Sequence, residues 1–206
     1  MTRYLTILGW LLASVLSHHP LQAQSLEVMA GRQGLMVDVQ WLEAFEGAPG
    51  WSLFSRTTAQ VDTAANTTFY TGGFLNYSLP MGLGATLVGT VTPAGASGDA
   101  GVHFAKGGPE WMLFTLLATD LAREWGVWSF TILRYQPKIN EDWRGYSSLE
   151  LFSHLNGLGH TYSTQRVRLG AGYRGIQTGV ALNLVGLGPE YQTVPAHLGL
   201  FLRKQF

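Results

Sequence analysis

Apolar and polar residues alternate with a period of two along most of this chain, and this alternation constrains the fold more than any other feature. Between residues 176 and 186, for example, Val180 and Leu182 fall on one face of an extended segment while Asn183 falls on the other. Turn residues return roughly every dozen positions from Ser25 onward. The pattern predicts an all-β protein of about twelve strands.

The polar faces of these strands carry few charges, and this observation decides which face meets water. Charged residues make up 13% of the chain, which is about half of their share in a typical globular domain. A soluble barrel with Val180 and Leu182 inside would need a charged exterior, so this alternative is disfavoured. In a membrane barrel the apolar face meets lipid and the polar face lines the lumen. The sequence therefore predicts a closed antiparallel transmembrane β-barrel.

Two segments in the middle of the chain are rich in apolar residues. Segment 126–135 places Trp128, Phe130 and Ile132 on one face, and the same rule predicts that this face meets lipid. Segment 111–118 is apolar on both faces, so a short helix is an alternative there. We interpret it as a strand because the rest of the chain reads as β-structure.

Tryptophans recur near the ends of the predicted strands. Those that follow the N-terminal segment are Trp41, Trp51, Trp111, Trp125, Trp128 and Trp143. Aromatic residues form girdles at the two interfaces of membrane barrels, where the ring sits between lipid tails and water. Their positions favour the membrane barrel.

The N-terminal segment has the layout of a secretory signal peptide. A positive start ending at Arg3 is followed by a mostly apolar stretch, residues 4–16, and then by a polar stretch that ends on Ala23. We therefore divide the chain into a signal peptide, residues 1–23, and a single barrel domain, residues 24–206.

The chain ends on an alternating strand whose last residue is aromatic, and the residues that carry this pattern are Leu198, Leu200, Leu202 and Phe206. Together with the export signal and the aromatic strand ends, this segment resembles the closing strand of Gram-negative outer-membrane β-barrels. The resemblance implies residence in the outer membrane, contact with its lipid, and an assembly signal that the barrel assembly machinery reads. Lys204 departs from the pattern, which expects an apolar residue there.

The same resemblance places both termini in the periplasm, which requires an even number of strands. Twelve strands satisfy the requirement; ten is the alternative if the first strand, residues 26–31, and one glycine-rich central strand do not pair separately. The extracellular loops would centre near Gln33, Ala64, Ala96, Ala122, Gly157 and Tyr191. All of these loops are short, which argues against a receptor or adhesin surface.

Turn positions set the register of neighbouring strands, and the register predicts an ionic network in the lumen. A turn centred at Leu158 sets Glu150 opposite Arg166, and other turns set Arg56 near Asp38. The predicted network consists of Asp38, Gln40, Arg56, Glu150, Arg166, Arg168 and Asn183. It either holds a narrow lumen together or, as an arginine cluster, biases a pore toward anions. The structural interpretation is favoured.

Several functions lack their usual signals in the sequence. The net charge is +0 and the chain has 0 cysteines, which argues against nucleic-acid binding and thiolate chemistry. Ser153 and His154 are adjacent, so they point to opposite faces of a strand. His160 and Ser163 differ in parity, so alternation places them on opposite faces as well. The sequence indicates no catalytic group, metal site or cofactor.

The sequence thus favours a non-enzymatic, porin-like outer-membrane barrel that acts as a narrow channel or as a structural membrane component. The alternative is an outer-membrane hydrolase, acting on lipid or protein, with an Asp/His site at the extracellular rim. The acidic and histidine residues expected near that rim are Asp62, Asp99, Asp120, His103, His154 and His160.

Overall fold

The computed structural model describes residues 23–121 and 126–206. Except for Ala23, the predicted signal peptide lies outside these residues, as do Trp125 and the loop position Ala122. The described residues form twelve strands. In chain order these are β1 (Ala23–Gly31), β2 (Gly34–Ala44), β3 (Trp51–Asp62), β4 (Thr67–Ser78), β5 (Leu83–Thr92), β6 (Gly95–Gly107), β7 (Trp111–Asp120), β8 (Gly126–Tyr135), β9 (Trp143–Asn156), β10 (Gly159–Tyr173), β11 (Ile176–Leu187) and β12 (Gln192–Gln205).

Each strand pairs antiparallel with its neighbours in the sequence, and β1 closes the sheet by pairing with β12. Val28 illustrates the closure, because it lies opposite Leu202 on one side and Val37 on the other. The predicted fold class, a closed antiparallel transmembrane barrel of twelve strands with short loops, is confirmed. The ten-strand alternative is wrong because the first strand pairs separately on both of its edges.

The barrel has two rims. The turns that follow odd-numbered strands lie at one end, called here the far rim, while the chain ends and the remaining turns lie at the other end, the terminal rim. One predicted loop at the far rim is wrong, because β5 and β6 are joined by only Pro93 and Ala94. Gly95 takes a φ of 128°, which allows the tight turn, and the hydroxyls of Thr90 and Ser97 lie 2.6 Å apart across the hairpin.

The last strand contains a proline. β12 starts at Gln192 and includes Pro195. The pairing with β11 shifts register between Asn183 and Val185, where Pro195 lies opposite the irregularity. Proline is tolerated in a strand at such bulges because its missing N–H would have no ladder partner there.

The outward face of the barrel is apolar along nearly every strand. Large exposed side chains on this face include Leu35, Leu87, Val102, Leu117, Leu133, Leu169, Val180, Leu198, Leu200 and Leu202. The alternation is clear in β12, where Leu200 is 66% exposed and the next residue, Phe201, is 2% exposed. Such an apolar outer band is what a lipid bilayer covers in a transmembrane barrel.

The aromatic girdle is only partly as predicted. Trp41, Trp51, Trp111 and Trp143 are exposed and lie close to the ends of their strands. Trp128 is different, because it is 7% exposed and points into the lumen with Phe130 and Ile132.

The lumen contains a packed apolar cluster, which contradicts the prediction that polar residues line it throughout. The cluster consists of Phe74, Val88, Leu116, Ala118, Trp128, Phe130 and Ile132. The prediction fails for β8 because its outward residues include Ser129 and Thr131, so the apolar face of this strand is the inner one. Burial among facing apolar side chains stabilises this face as well as lipid would.

A charge on the outer face tests the sidedness of the barrel. We expect Leu200→Arg to destabilise the folded barrel by about 2–4 kcal/mol, because an arginine near the middle of the bilayer loses its hydration. The measurement is the free energy of unfolding in lipid vesicles, with Leu200→Phe as the control that keeps an apolar side chain. An unchanged free energy for Leu200→Arg would show that this face is not in lipid.

Candidate functional site

Four charged residues from four strands meet in the lumen. Arg56 on β3 places Nε 3.0 Å from Asp38 Oδ2 on β2, and its Nη2 lies 2.8 Å from Glu150 Oε2 on β9. Arg166 on β10 places Nη1 3.1 Å from the same Asp38 oxygen and 4.0 Å from Glu150 Oε2. Each acid thus lies between two arginines, and the group links β2 and β3 to β9 and β10 across the barrel.

A second ionic group lies beside the first one. Arg168 Nε donates to Glu27 Oε1 at 2.8 Å, and its Nη1 donates to Asn183 Oδ1 at 2.8 Å. Arg203 donates to the hydroxyl oxygens of Tyr146 at 3.0 Å and Ser25 at 2.8 Å. The two groups together are called the ionic floor below.

The seven residues predicted for the lumen network all lie in or beside the ionic floor. Gln40 bridges its two parts: its Nε2 lies 3.5 Å from Asp38 Oδ1, and its Oε1 accepts from Arg203 at 3.4 Å. Asn183 lies opposite Arg166 in register, yet its side chain accepts a hydrogen bond from Arg168.

Glu27 and Arg203 were missed by the sequence interpretation. They lie directly opposite each other in the pairing of β1 with β12. No turn connects these two strands, so turn positions did not set their register. Glu27 is two residues from Ser25 and two from Met29, so it lies on the same face of β1 as these buried residues. This spacing is the signal that could have placed Glu27 inside.

The charges of the ionic floor are almost fully removed from water. Asp38, Arg168 and Arg203 are each 3–4% exposed, and Glu150 is 8% exposed. Burying an isolated charge is strongly unfavourable, so the opposite charges must stay paired for the barrel to remain folded. The space between Glu27 and the neighbouring floor residues is too small for a water molecule. The floor therefore packs tightly around Glu27.

The lumen opens above the ionic floor toward the far rim. This space, called the cup, has a volume of about 840 Å³. Its base is formed by Arg56, Glu150 and Arg166. Its aromatic lining comprises Phe69, Tyr70, Phe74, Trp128, Phe130, Phe152 and Tyr162, and its hydroxyl and amide lining comprises Thr58, Gln60, Thr68, Thr90, Thr92, Ser97, Asn156 and Thr164. The cup is thus closed at the base and largely apolar at its walls.

Two acids and a histidine lie in the cup near the far rim. Asp99 on β6 is directly opposite Asp120 on β7, and His154 Nε2 on β9 lies 3.7 Å from Asp120 Oδ2. Gly126 leaves room for this approach, since a Cβ there would lie 2.9 Å from His154 Nε2 and 3.0 Å from Asp120 Oδ2.

The ring of His154 also contacts Thr161. The Thr161 hydroxyl donates to the backbone oxygen of His154 at 3.0 Å, and the same hydroxyl oxygen lies 2.5 Å from His154 Nδ1. In the tautomer that carries its hydrogen on Nδ1, Nδ1 donates to Thr161 and Nε2 faces Asp120 as an acceptor.

The other residues expected at the extracellular rim do not join this group. Asp62 accepts backbone hydrogen bonds from Ala64 and Asn66 in its own turn, both at 2.8 Å. The placement of His103 was wrong: it lies opposite Gly84 on the terminal side of β6 and bonds to Ser78 and Thr86.

His160 lies on the outer side of the barrel, and the prediction that it differs in parity from Ser163 was wrong. A register shift between His160 and Tyr162 places both residues on one face, next to Gly186. His160 stacks on Tyr191 at 3.7 Å and donates from Nδ1 to the backbone oxygen of Gly188. His160 and Ser163 are 5% and 2% exposed, which leaves a substrate no access to them.

The residues of the proposed assembly signal lie on the outward face of the closing strand. Leu198, Leu200 and Leu202 are 59%, 66% and 57% exposed, and Phe206 is 49% exposed. Lys204 pairs in register with Leu26 on β1 and Ile176 on β11. An exposed apolar row of this kind is available to lipid or to a partner protein.

The described ranges contain neither a metal site nor a membrane-spanning helix. No group of three or more His, Asp or Glu side chains there is arranged to hold a metal ion. Residues 23–121 and 126–206 contain no helix that is long and apolar enough to cross a membrane.

Fold and lumen together define the class: a closed transmembrane β-barrel with a filled base and an open cup. No family model and no curated protein matches the chain. Among solved structures it is similar to LpxR from Salmonella typhimurium, at 9% identity and a TM-score of 0.47, over 90% of this chain and 99% of that one. It is also similar to a structure from a study of the in-meso crystallization of membrane proteins, at 12% identity and a TM-score of 0.49, over 90% and 84% of the two chains. Likenesses this weak carry no evidence about function.

Removing one acid tests the ionic floor. We expect Glu150→Gln to cost about 3–5 kcal/mol, because it leaves the buried Arg56 and Arg166 with Asp38 as their shared counter-charge. The measurement is the free energy of unfolding, with Glu46→Gln in an exposed turn as the matched control. Equal stability of the two variants would mean that the floor contributes little to the fold.

Proposed function

We propose that this protein is an integral outer-membrane barrel that is closed to solute flow and presents its cup at the extracellular side. The export signal and the aromatic C-terminal residue support residence in the outer membrane. The row formed by Leu198, Leu200, Leu202 and Phe206 is the proposed contact for the barrel assembly machinery. With the termini in the periplasm, the far rim and the cup face outward.

The ionic floor is the observation that carries this proposal. A conducting barrel keeps a continuous water path along its lumen, lined by charges that select the ion. Here Arg56 and Arg166 are neutralised by Asp38 and Glu150 at 2.8–4.0 Å, instead of lining a path for anions. The apolar cluster on β4, β5, β7 and β8 fills the facing wall. These contacts favour a binding protein or a structural component of the membrane, and they argue against a channel.

Conductance measurements test the closed lumen. We expect the wild-type barrel in planar bilayers to give no conductance above baseline. The double variant Asp38→Asn/Glu150→Gln should give discrete openings, because the remaining buried arginines repel each other and separate. Steady conductance of the wild-type protein would contradict the proposal. The Glu46→Gln variant controls for effects of a changed net charge.

A second candidate function is an outer-membrane hydrolase, and one observation favours it. Asp120 and His154 approach to 3.7 Å inside a cavity that opens at a rim. With Nδ1 protonated, His154 Nε2 can take a proton from a water molecule, and Asp120 can stabilise the resulting imidazolium. Such a pair could act on an ester or amide bond that enters the cup.

The hydrolase candidate predicts a specific loss of activity. His154→Gln should lower the hydrolysis of p-nitrophenyl esters or casein by at least about a hundredfold, because a general base contributes on the order of a hundredfold or more. His103→Gln, which alters a histidine outside the cup, is the control. Absence of activity in the parent protein would remove this candidate and leave the closed-barrel proposal untouched.

A further inference from the structure

Asp99 and Asp120, the acids near the rim of the cup, differ from the other buried acids in the described part of the lumen because no arginine pairs with them. Asp38, Glu150 and Glu27 each lie within 2.8–3.1 Å of an arginine nitrogen. Asp99 is also buried, at 3% exposed, and its Oδ1 has no hydrogen-bond partner among the described residues. Glu150 Oε2 likewise lacks a hydrogen bond, but it lies 2.8 Å from Arg56 Nη2. An unpartnered buried carboxylate oxygen carries a desolvation cost that a bound partner would offset.

The position of Asp120 increases this cost. It lies directly opposite Asp99 on the neighbouring strand, and like charges at opposed positions in a sheet repel each other. His154 Nε2 lies 3.7 Å from Asp120 Oδ2, and this imidazole is charged only when protonated. Two carboxyl groups therefore lie near the rim of the cup, and the one basic side chain that pairs with either of them among the described residues is His154.

The walls around the acids supply the second half of a binding site. Trp128 and Phe152 lie next to each other, with ring centroids 5.8 Å apart, and both line the cup with Phe130 and Tyr162. Aromatic faces attract organic cations through the negative charge of the ring face, and tryptophan does so most strongly. Carboxylates beside aromatic rings are therefore suited to an ammonium group.

The size and the base of the cup restrict the ligand further. A volume of about 840 Å³ lies in the range of sites for small organic molecules, which is roughly 300–1,000 Å³. The basal arginines Arg56 and Arg166 already have acidic partners, so they do not repel a cation as free charges would. The largely aromatic wall favours a ligand whose body is apolar.

We propose that the cup binds an organic ammonium compound with an apolar body, whose cationic group contacts Asp99 and Asp120 from inside the cup. The ring of Trp128 contacts the cationic group, and the apolar body extends along Phe130 and Phe152. This site goes beyond the closed-barrel function, because binding in the cup depends neither on the closure of the floor nor on hydrolysis.

Calorimetric titration of the folded barrel in a neutral maltoside detergent tests the proposal. The probe is benzylammonium, compared with benzyl alcohol and benzenesulfonate, which carry the same ring without the positive charge. We expect saturable binding of the ammonium probe with one site per barrel, and no saturable binding of the other two. Asp99→Asn and Asp120→Asn should each weaken binding about tenfold or more, because each removes a desolvated charge partner.

Asp62→Asn is the matched control, since Asp62 lies at the same rim and its carboxylate is occupied by its own turn. It should bind the probe like the wild-type protein. Circular dichroism and the gel mobility of unheated samples check that each variant is folded, and Asp120→Asn keeps the test available if Asp99→Asn does not fold.

Three results would overturn the proposal. They are absence of saturable ammonium binding, equal binding of benzyl alcohol, and unchanged binding in both cup variants. Absence of binding would indicate that the two carboxyl groups share a proton instead of a ligand cation. Because the titration uses detergent-solubilised protein, its outcome is separate from the conductance measurement.

Discussion

The pairing of β1 with β12 is the constraint on which the rest of the structure depends. A sheet in a bilayer must satisfy every backbone N–H and C=O group internally, and only closure removes the unpaired edges. The same pairing sets Glu27 opposite Arg203 and brings Ser25 within 2.8 Å of that arginine. The strand pairing that closes the barrel therefore also brings together two charged residues of the ionic floor.

The lumen is filled by two different kinds of interaction, and the larger apolar cluster lies on strands that carry no residue of the ionic floor. On β2, β3, β9 and β10, paired charges hold the strands together, and each charge is stable there only because its partners are buried with it. On β4, β5, β7 and β8, apolar side chains such as Phe74 and Leu116 pack as in a soluble core. The cup remains open because the polar and aromatic residues above the floor do not meet across it.

Alternation and turn positions were enough to predict the closed barrel, its strand number and a lumen position for the residues on both sides of a hairpin. Glu150 lies opposite Arg166 because the β9–β10 turn fixes their register. Features set by contacts between distant strands were not predictable in this way. No turn joins the two strands that carry Glu27 and Arg203. The register shift after His160 moves that residue to the face opposite the one that alternation predicts. The inward face of β8 depends on what it packs against, which alternation alone does not reveal.

The distribution of charge along the lumen connects the proposed binding site with the closed floor. Toward the terminal rim lie Arg168 and Arg203, together with Arg134, whose Nε and Nη2 are buried without a partner among the described residues. Toward the far rim lie Asp99 and Asp120, which have no arginine partner in the described ranges. A cation that enters the cup is attracted by the acids and meets positive charge below them, which is a barrier to its passage. Such a gradient favours retention of a cation near the far rim and opposes its transport across the barrel.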